Sequence, residues 1–330
     1  MWASLTKHWF LTALAICFAV GYFGASSLKP LLEMTLLRSG VVFVVMWAMG
    51  VTLQADTIRR SMTRPFPSLL AIAINVAVVP LLCLPTMWLL PEKLFGGLFV
   101  TAIVPCTLAS ASVWTRKAAG DDSIAMMTTV VTNLACVLVV PLGILLMLSQ
   151  QAEIDVAQQV SKLTIVVVVP LLLAQVMRRF GAATWADRNK PRLSMLGQVG
   201  ILVMVVFGAI SSATMVDQAG AAVTAISWGS LALLVVAAAT VHTLALCFGV
   251  MIARGFQLAR PSQIAIGIAG SQKTLMVGLQ IAIDCGVSVI PMLVYHLSQL
   301  VIDTIVAERW KRKSDQEHPL PPSRREIDQS

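Results

Sequence analysis

Residues 261–283 read PSQIAIGIAGSQKTLMVGLQIAI, an apolar stretch whose most polar residues lie at its centre, in Gly267-Ile268-Ala269-Gly270-Ser271-Gln272-Lys273-Thr274. A second apolar stretch, at about 95–115, is interrupted by Ile103-Val104-Pro105-Cys106-Thr107-Leu108-Ala109-Ser110-Ala111-Ser112. Pro105 removes a backbone hydrogen bond there, and small and hydroxylated residues follow it. Each stretch is long enough to cross about 30 Å of hydrocarbon. Both therefore predict membrane-spanning helices that are broken near the bilayer centre.

The rest of the chain has the composition of a membrane protein. Of its 330 residues, 57% are hydrophobic and only 12% are charged, and the mean hydropathy is +0.83, which excludes a water-soluble globular protein. The alternating segments of about ten residues that are typical of membrane β-barrels are absent. We therefore predict an all-α polytopic membrane protein with ten spans. The predicted spans are about 9–25, 37–54, 66–90, 95–115, 123–148, 158–177, 193–214, 222–253, 261–283 and 287–307.

The basic residues are distributed unevenly over the two faces that these spans define. Nineteen of the 24 Lys and Arg residues fall on the face that carries both termini, four fall on the opposite face, and Lys273 lies inside a span. Because short cytoplasmic loops are rich in Lys and Arg, this distribution predicts cytoplasmic N- and C-termini in a plasma (inner) membrane. The net charge of +8 is spread over one face that contacts the lipid bilayer, so we expect no nucleic-acid partner, and the sequence indicates no obligate protein partner.

Ten spans divide into two sets of five, over about 1–150 and 151–313, and an odd number per set forces the second set to be inverted. Inverted repeats are typical of secondary transporters, in which discontinuous helices form the substrate site near the bilayer midplane. The fourth and ninth spans occupy equivalent positions in the two sets, and both are broken; for either break alone, a harmless kink is the alternative.

The first span also resembles a secretory signal peptide, and its removal would leave nine spans. The polar residues 314–330 predict a disordered cytoplasmic tail, which we expect to begin near Lys311.

Lys273 is the most unusual residue of the predicted spans. It stands about 18 Å from either end of its span at a rise of 1.5 Å per residue, too far for its side chain to reach water. A midplane ammonium costs at least about 2.5–3.5 kcal/mol, so it must face a hydrated cavity, an anion or a carboxylate. It could contact an anionic substrate, carry a proton or replace a bound cation with a permanent charge. Alternatively, it is one half of a buried ion pair with Asp303 or Asp284.

Polar side chains on other spans complete the candidate site. Thr129, Thr132 and Asn133 share one face of the fifth span, and His296, Gln299 and Asp303 share one face of the tenth. Such residues also serve as hydrogen-bonding contacts between membrane helices. The candidate substrate- or ion-binding residues are Asn75, Ser110, Ser112, Thr129, Thr132, Asn133, Ser271, Gln272, Lys273, His296, Gln299 and Asp303.

Enzymatic and metal-binding patterns are scarce. The sequence has no H-E-x-x-H, no P-loop, no dinucleotide-binding glycine pattern and no pair of midmembrane carboxylates. A hydrolase that uses Ser271 with His296 is conceivable, because both residues fall at similar depth, but only Asp303 could orient the histidine. The six cysteines form no C-x-x-C or Cys–His pattern, so we predict neither a metal site nor a disulfide framework. We predict that the protein is not an enzyme.

At these residues, over positions 1 to about 313, the chain resembles the bile acid–sodium symporter superfamily, solute carrier family 10. The resemblance is to the SBF-like branch that contains the orphan seventh member and its bacterial relatives. The matching segments are Met46-Trp47-Ala48-Met49-Gly50-Val51-Thr52-Leu53, Val104-Pro105-Cys106 with Ser110 to Thr115, Lys117-Ala118-Ala119-Gly120-Asp121, Ser271-Gln272-Lys273-Thr274-Leu275 and Tyr295-His296-Leu297-Ser298-Gln299.

This resemblance implies a panel domain of spans 1, 2, 6 and 7 and a core domain of the remaining spans, in which broken spans 4 and 9 cross. It also implies two sodium ions behind the crossing, where Asn75, Ser110, Thr129 and Gln272 match family ligands.

The chain departs from the family pattern at four positions. Ile268 replaces a glutamate, Lys273 an asparagine, Ala111 an asparagine and Ala125 a serine. Two sodium ions beside an ammonium would cost several kcal/mol. We therefore predict that sodium is not bound at two sites; residual sodium at Ser110, Thr129 and Gln272, or a proton, is the expected coupling ion.

Together, these inferences predict a secondary transporter that moves an organic anion or small metabolite by alternating access. No cofactor other than a coupling ion is expected. The alternative is a membrane regulator that does not transport but modulates another ion or solute transport system.

Overall fold

The protein is almost entirely helical. A computed structural model describes residues 9–108, 110–148, 155–219 and 227–317, and no β-strand occurs in these ranges. We number the helices in chain order. They are α1 Trp9–Phe23, α2 Ala25–Leu28, α3 Pro30–Glu33, α4 Thr35–Thr52, α5 Ala55–Met62, α6 Phe66–Trp88, α7 Glu92–Ile103, α8 Ser110–Lys117, α9 Asp122–Leu148, α10 Val156–Arg188, α11 Lys190–Ala219, α12 Trp228–Gly255, α13 Arg260–Ser271, α14 Leu275–Asp284 and α15 Ile290–Glu317.

The helices confirm the predicted class of all-α polytopic membrane protein. In the described part of the chain, eight are long and apolar enough to cross a membrane when α13 and α14 are counted together. A ninth is added if α1 and its continuation, which bends by 79°, form one span. The predicted span at 95–115 does not qualify by length, because the chain there is divided between α7 and the eight-residue α8.

The C-terminal helix is longer than expected. α15 continues to Glu317, so residues 311–317, which we had assigned to a disordered tail, are helical. This segment reads KRKSDQE, and Lys, Arg, Gln and Glu are good helix formers that extend a helix without needing apolar contacts. The predicted tail from 318 onward lies outside the described residues.

The long helices pack in two groups. In one group, α1 packs on α11, and α4 packs on both α10 and α11. In the other, α12 packs on α13 and α15, and α13 also contacts α6 and α9. Glycines permit close approach within each group: a methyl group at Gly50 would meet Leu171 and Ala174 on α10, and one at Gly249 would meet the backbone of Gly267 on α13.

Charged contacts mark the two ends of this bundle. At one end, Lys117 pairs with Glu308, and the Asp121 amide donates to the Pro261 carbonyl. We call this the basic end, because Arg59, Arg60, Arg116, Arg254 and Arg309 lie in the same segments. At the other end, which we call the opposite end, Arg38 and Lys162 both contact Asp284.

Candidate binding site at two interrupted helices

The interruptions after α7 and after α13 lie against each other. α7 ends at Ile103, and Val104 is extended; α13 ends at Ser271, and Gln272 and Thr274 are extended. The Thr274 amide donates to the Pro105 carbonyl oxygen over 2.9 Å. The Ser110 hydroxyl, at the start of α8, donates to Gln272 Oε1 over 3.0 Å. Backbone and side chains of the two interruptions are therefore joined directly.

Side chains of α9 hold the first interruption open. The Cys106 amide donates to Thr132 Oγ1 over 3.1 Å, and Asn133 Nδ2 donates to the Cys106 carbonyl over 2.9 Å. Thr129 Oγ1 donates to the Thr107 carbonyl over 3.2 Å. The three side chains follow one helix face, as their spacing predicts, and together they satisfy the backbone groups that an uninterrupted helix would have paired.

The second interruption is held by residues from α6 and α15. Asn75 Nδ2 donates to the carbonyls of Ala269, Gly270 and Gln272 over 3.3, 3.2 and 2.8 Å. Gln299 brackets Lys273: its Oε1 accepts from the Lys273 amide over 3.0 Å, and its Nε2 donates to the Lys273 carbonyl over 3.1 Å. The amide side chains thus replace the helical partners of an extended segment that contains no proline.

The Lys273 ammonium lies between the two interruptions. Its Nζ donates to the Asn75 carbonyl over 2.6 Å, to Asn75 Oδ1 over 3.1 Å and to the Val104 carbonyl over 3.0 Å. The side chain is 2% exposed. Three donors therefore meet three uncharged acceptors, which is the type of oxygen cage that also suits a bound cation.

Local backbone geometry explains why the Asn75 carbonyl is free for Lys273. Residues 74–78 form a π-turn in α6, so the Val79 amide donates to the Ile74 carbonyl instead of to Asn75. The next residue is Pro80, which has no amide hydrogen to donate. Asn75 therefore lacks a helical donor, and Lys273 supplies one.

The alternative in which Lys273 forms an ion pair with Asp303 or Asp284 is wrong for this conformation. Asp303 Oδ1 lies 3.0 Å from His242 Nε2, and Asp303 Oδ2 accepts a short hydrogen bond from Gln272 Nε2. Asp284 is held at the opposite end of the bundle by Arg38 and Lys162. Both carboxylates are already paired, and neither reaches the ammonium.

His242 lies between two hydrogen-bond acceptors. Its Nδ1 is 3.3 Å from the Ser271 carbonyl, and its Nε2 is 3.0 Å from Asp303 Oδ1. Only a doubly protonated imidazole donates from both nitrogens; a neutral imidazole that donates from Nδ1 requires a protonated Asp303 instead. A neutral imidazole that donates from Nε2 alone leaves the Ser271 carbonyl to the Tyr295 hydroxyl, which donates to it over 2.9 Å, so the geometry of the fully buried His242–Asp303 pair accommodates one additional proton without requiring it.

Most of the sequence-predicted site residues converge on this centre, His296 through Gln299, but Ser271 and Ser112 do not join it through side-chain hydrogen bonds. Ser271 Oγ donates to the Gly267 and Ile268 carbonyls of its own helix. His296 Nδ1 contacts Gln299 rather than Ser271, so the serine hydrolase alternative lacks its nucleophile–base contact. In the described part of the chain, Ser112 is buried without a side-chain hydrogen bond to the group.

The candidate residues predicted from the sequence did not include two residues of the site. Tyr295 donates to the Ser271 carbonyl over 2.9 Å, and His242 holds the Asp303 carboxylate. Both stand in apolar segments in which a buried polar group needs a partner, and that was the available signal.

The donor set does not fit the two sodium ions that the resemblance implies. Every carbonyl oxygen from Val104 to Thr107 and from Ala269 to Lys273 accepts a hydrogen bond from a protein donor. Gln272 Oε1 is taken by Ser110, and Thr129 donates to Thr107. Ala111 and Ala125, where the resemblance expects polar ligands, instead pack with Cys106 and Ala269 in an apolar cluster. Of the amide oxygens in the described group, Asn133 Oδ1 is buried without a partner.

Comparison with known proteins agrees with the resemblance. The SBF-like CPA transporter family matches residues 8–312. A Pseudomonas aeruginosa protein described as uncharacterised is 31% identical over 257 residues, which cover 76% of this chain and 73% of that protein. An Escherichia coli protein named as a symporter is 27% identical over 229 residues, 68% of this chain and 67% of its own. Sodium/bile acid cotransporter 7 of Danio rerio is 23% identical over 327 residues, 92% of this chain and 94% of its own.

These matches confirm the predicted resemblance and the predicted absence of an enzymatic role, because the family and two of the three relatives are named for transport. With the apolar helices, they identify an integral membrane protein. The chain belongs to the SBF-like CPA transporter family.

Proposed function

We propose that this protein is a secondary active transporter that moves an organic anion by alternating access, with the substrate bound where the two interruptions meet. The observation that carries the proposal is the buried Lys273 ammonium, which faces three uncharged oxygens and no carboxylate. An uncompensated midmembrane charge is expensive unless a ligand of opposite charge binds there. An organic anion supplies that charge.

The proposed architecture is ten spans in two inverted sets of five. α1 with its bent continuation serves as the first span, α7 with α8 as the fourth, and α13 with α14 as the ninth. The two packing groups support a panel of spans 1, 2, 6 and 7 and a core of the rest. Movement of the core against the panel would expose Lys273 to each side in turn.

A proton is the proposed coupling ion. When the His242–Asp303 pair holds the additional proton, the centre carries the single positive charge of Lys273; when the proton leaves, Asp303 balances that charge. The protonated centre therefore attracts an anion, and the deprotonated centre releases it. This coupling needs only residues that are already buried in the site.

Sodium is the competing coupling ion, because several relatives are named as sodium cotransporters. The carbonyl oxygens of the two interruptions already accept hydrogen bonds from the protein. Together with Ile268, Ala111 and Ala125, this argues against two sodium sites. We propose that the Lys273 ammonium takes the place of one cation. Residual sodium at Ser110, Thr129 and Gln272 would require these side chains to exchange their present partners.

The proposed location is the plasma (inner) membrane, with both chain termini in the cytoplasm. The basic end supports this orientation, because cytoplasmic loops carry most Lys and Arg residues.

Uptake into liposomes tests the proposal against its alternative, a membrane regulator without transport. Purified protein would be tested with a panel of organic anions and small metabolites under imposed proton, sodium and potential gradients. We expect at least one anion to accumulate under an inward proton gradient. If no compound binds or accumulates under any gradient, the regulator alternative is favoured.

A further inference from the structure

Three charged residues from separate helices meet at the opposite end of the bundle. Arg38 Nη2 donates to Asp284 Oδ1 over 2.7 Å, and Lys162 Nζ lies 2.6 Å from Asp284 Oδ2. Gln280, one turn earlier on α14, donates to both carboxylate oxygens over 3.1 and 2.9 Å. Two cations thus share one carboxylate, and this cluster carries one surplus positive charge.

Two hydrogen-bonding groups of this cluster, a donor and an acceptor, have no partner. Arg38 is 4% exposed, and its Nε has no hydrogen-bond partner; its Nη1 donates to the Leu32 carbonyl over 3.3 Å. Gln280 is 1% exposed, and its Oε1 is also without a partner. A buried guanidinium with an unsatisfied N–H beside a surplus charge is the chemistry that binds a carboxylate.

The position of Asp284 is unfavourable for a permanent ion pair with Arg38 and Lys162. Asp284 is the last residue of α14, where the negative end of the helix dipole repels a carboxylate. The cations stand on α4 and α10, whereas Asp284 and Gln280 stand on α14, so the contact joins three separate helices. A movement of α14 away from α4 and α10 would separate Asp284 from Arg38 and Lys162.

Helix α14 also links this cluster to the proposed substrate site. It begins directly after Thr274 and ends at Asp284, so its ten residues extend about 15 Å at 1.5 Å per residue. An anion bound at Arg38 and Lys162 would therefore lie about 15 Å, the length of this helix, from Lys273.

We propose that Arg38 and Lys162 form a second carboxylate-binding site, which Asp284 fills in this conformation and which the carboxylate of the transported anion takes over when the opposite end opens. The inference rests on the proposed transport function, but its first test does not. The exchange conserves charge, because one carboxylate replaces another.

The first test asks whether these cations hold an external carboxylate. In full-length Asp284→Ala protein, the methyl side chain leaves space for formate. We expect the melting temperature to fall by about 3–6 °C relative to wild type and to recover at least half of that loss, saturably, in potassium formate but not in equimolar potassium chloride. Asp284→Asn is the matched control, because its amide fills the space and should block the formate effect.

The double variant Asp284→Ala with Arg38→Gln should not respond to formate. An equal response in the double variant, or no difference between formate and chloride in Asp284→Ala, would overturn the proposal. If Asp284→Ala does not fold in chloride, Asp284→Ser is tested in its place, with the same expected and contradicting responses to formate. Failure of both variants to fold even in formate would also overturn it, because the anion should satisfy the cations.

The second test concerns takeover by the substrate. Lys162→Gln should raise the KM of the transported anion at least about threefold with a smaller change in kcat, since the loss is of binding rather than of turnover. An unchanged KM would show that the transported anion does not replace Asp284 at these cations, even if formate binds to them. Absence of all transport would refute the proposed function and leave the formate result standing as a separate finding.

Discussion

The Lys273 side chain has three uncharged acceptors and no carboxylate partner, so Lys273→Met removes a charge without breaking an ion pair. Each lost hydrogen bond to the ammonium is worth about 1.5–3 kcal/mol, but the relief of its burial offsets this by at least about 2.5–3.5 kcal/mol. At these magnitudes the loss of three such bonds exceeds the relief, so we expect the variant to fold with a lower melting temperature than wild type and to lose anion binding. Thermal unfolding and binding of the transported anion measure the two effects.

Two further variants separate function from structure at this position. Lys273→Arg keeps the charge, but a planar fork does not fit three acceptors arranged around one nitrogen, so it should be less stable than Lys273→Met. Adding Asp303→Asn to Lys273→Met should restore neither stability nor activity. Full recovery of both in that double variant would mean that Lys273 and Asp303 form an ion pair in a conformation the account does not include.

Asn75 gives an isosteric test of the donor roles in the site. Asn75→Asp keeps the shape and adds a negative charge beside Lys273, but it removes the amide that donates to the Ala269, Gly270 and Gln272 carbonyls. We expect a net loss of about 1–3 kcal/mol in the free energy of unfolding, because three buried carbonyls lose their donor and face a carboxylate. Denaturation midpoints of the two proteins give the difference. A more stable Asp variant would show that charge pairing with Lys273 outweighs the carbonyl contacts.

Some of the hydrogen-bonding residues of the site could be predicted from the sequence, but the partners of Lys273 and Asp303 could not, for a physical reason. Helical spacing placed Thr129, Thr132 and Asn133 on one face, and all three clamp the first interruption. The acceptors of Lys273 could not be deduced, because the Asn75 carbonyl is available only through a π-turn followed by Pro80. The ion-pair alternative failed because His242, 61 residues before Asp303 in the chain, already holds that carboxylate.

Among the helical elements, the two interruptions differ in what maintains them. Pro105 disfavours helix at the first, and α9 side chains hold it as well. We expect Pro105→Ala to lower stability by no more than about 1 kcal/mol, whereas Asn133→Leu should lower it by about 2–4 kcal/mol, because the Cys106 carbonyl and the Thr129 carbonyl lose a buried donor. Urea unfolding of the two variants would rank them. The reverse ranking would mean that Pro105, and not the hydrogen bonds from α9 side chains, causes the first interruption.

Proline also explains which element boundaries could be predicted. The first interruption carries its own signal in Pro105, and the structure ends α7 at Ile103. The second has no proline; only its polar cluster indicated a break, and long-range contacts from Asn75 and Gln299 hold it. The end of α15 was placed too early, because a polar composition was taken for disorder where charged helix formers continue the helix to Glu317.

At the scale of the whole molecule, the effect of sodium on stability tests whether this chain retains the two sodium sites that the family resemblance implies. A sodium ion about 4 Å from an ammonium is repelled by about 4 kcal/mol at an effective dielectric constant of 20. We therefore expect sodium, potassium and choline chlorides to give the same melting temperature. Ile268→Glu with Lys273→Asn supplies the carboxylate and removes the ammonium, and it should gain sodium-specific stabilisation. Saturable stabilisation of the wild type by sodium alone, with a slope for two ions, would contradict the account.

The arrangement of the whole chain was predicted more fully than its chemistry. Composition and span length were sufficient for the all-α membrane class, because the hydrocarbon thickness sets the length of each helix. They could not show the packing of α4 on α10, or the contact of Arg38 and Lys162 with Asp284, since these join segments more than 100 residues apart.

The central claim is that an anion and a proton bind together, the anion at Lys273 and the proton in the His242–Asp303 pair. Calorimetric titration of the transported anion, in buffers of different ionisation enthalpy and over a series of pH values, counts the protons taken up per anion. The account predicts that wild type takes up as much as one proton per anion, without sodium, and that Asp303→Asn takes up none. Binding that takes up no proton at any pH and requires sodium would contradict it.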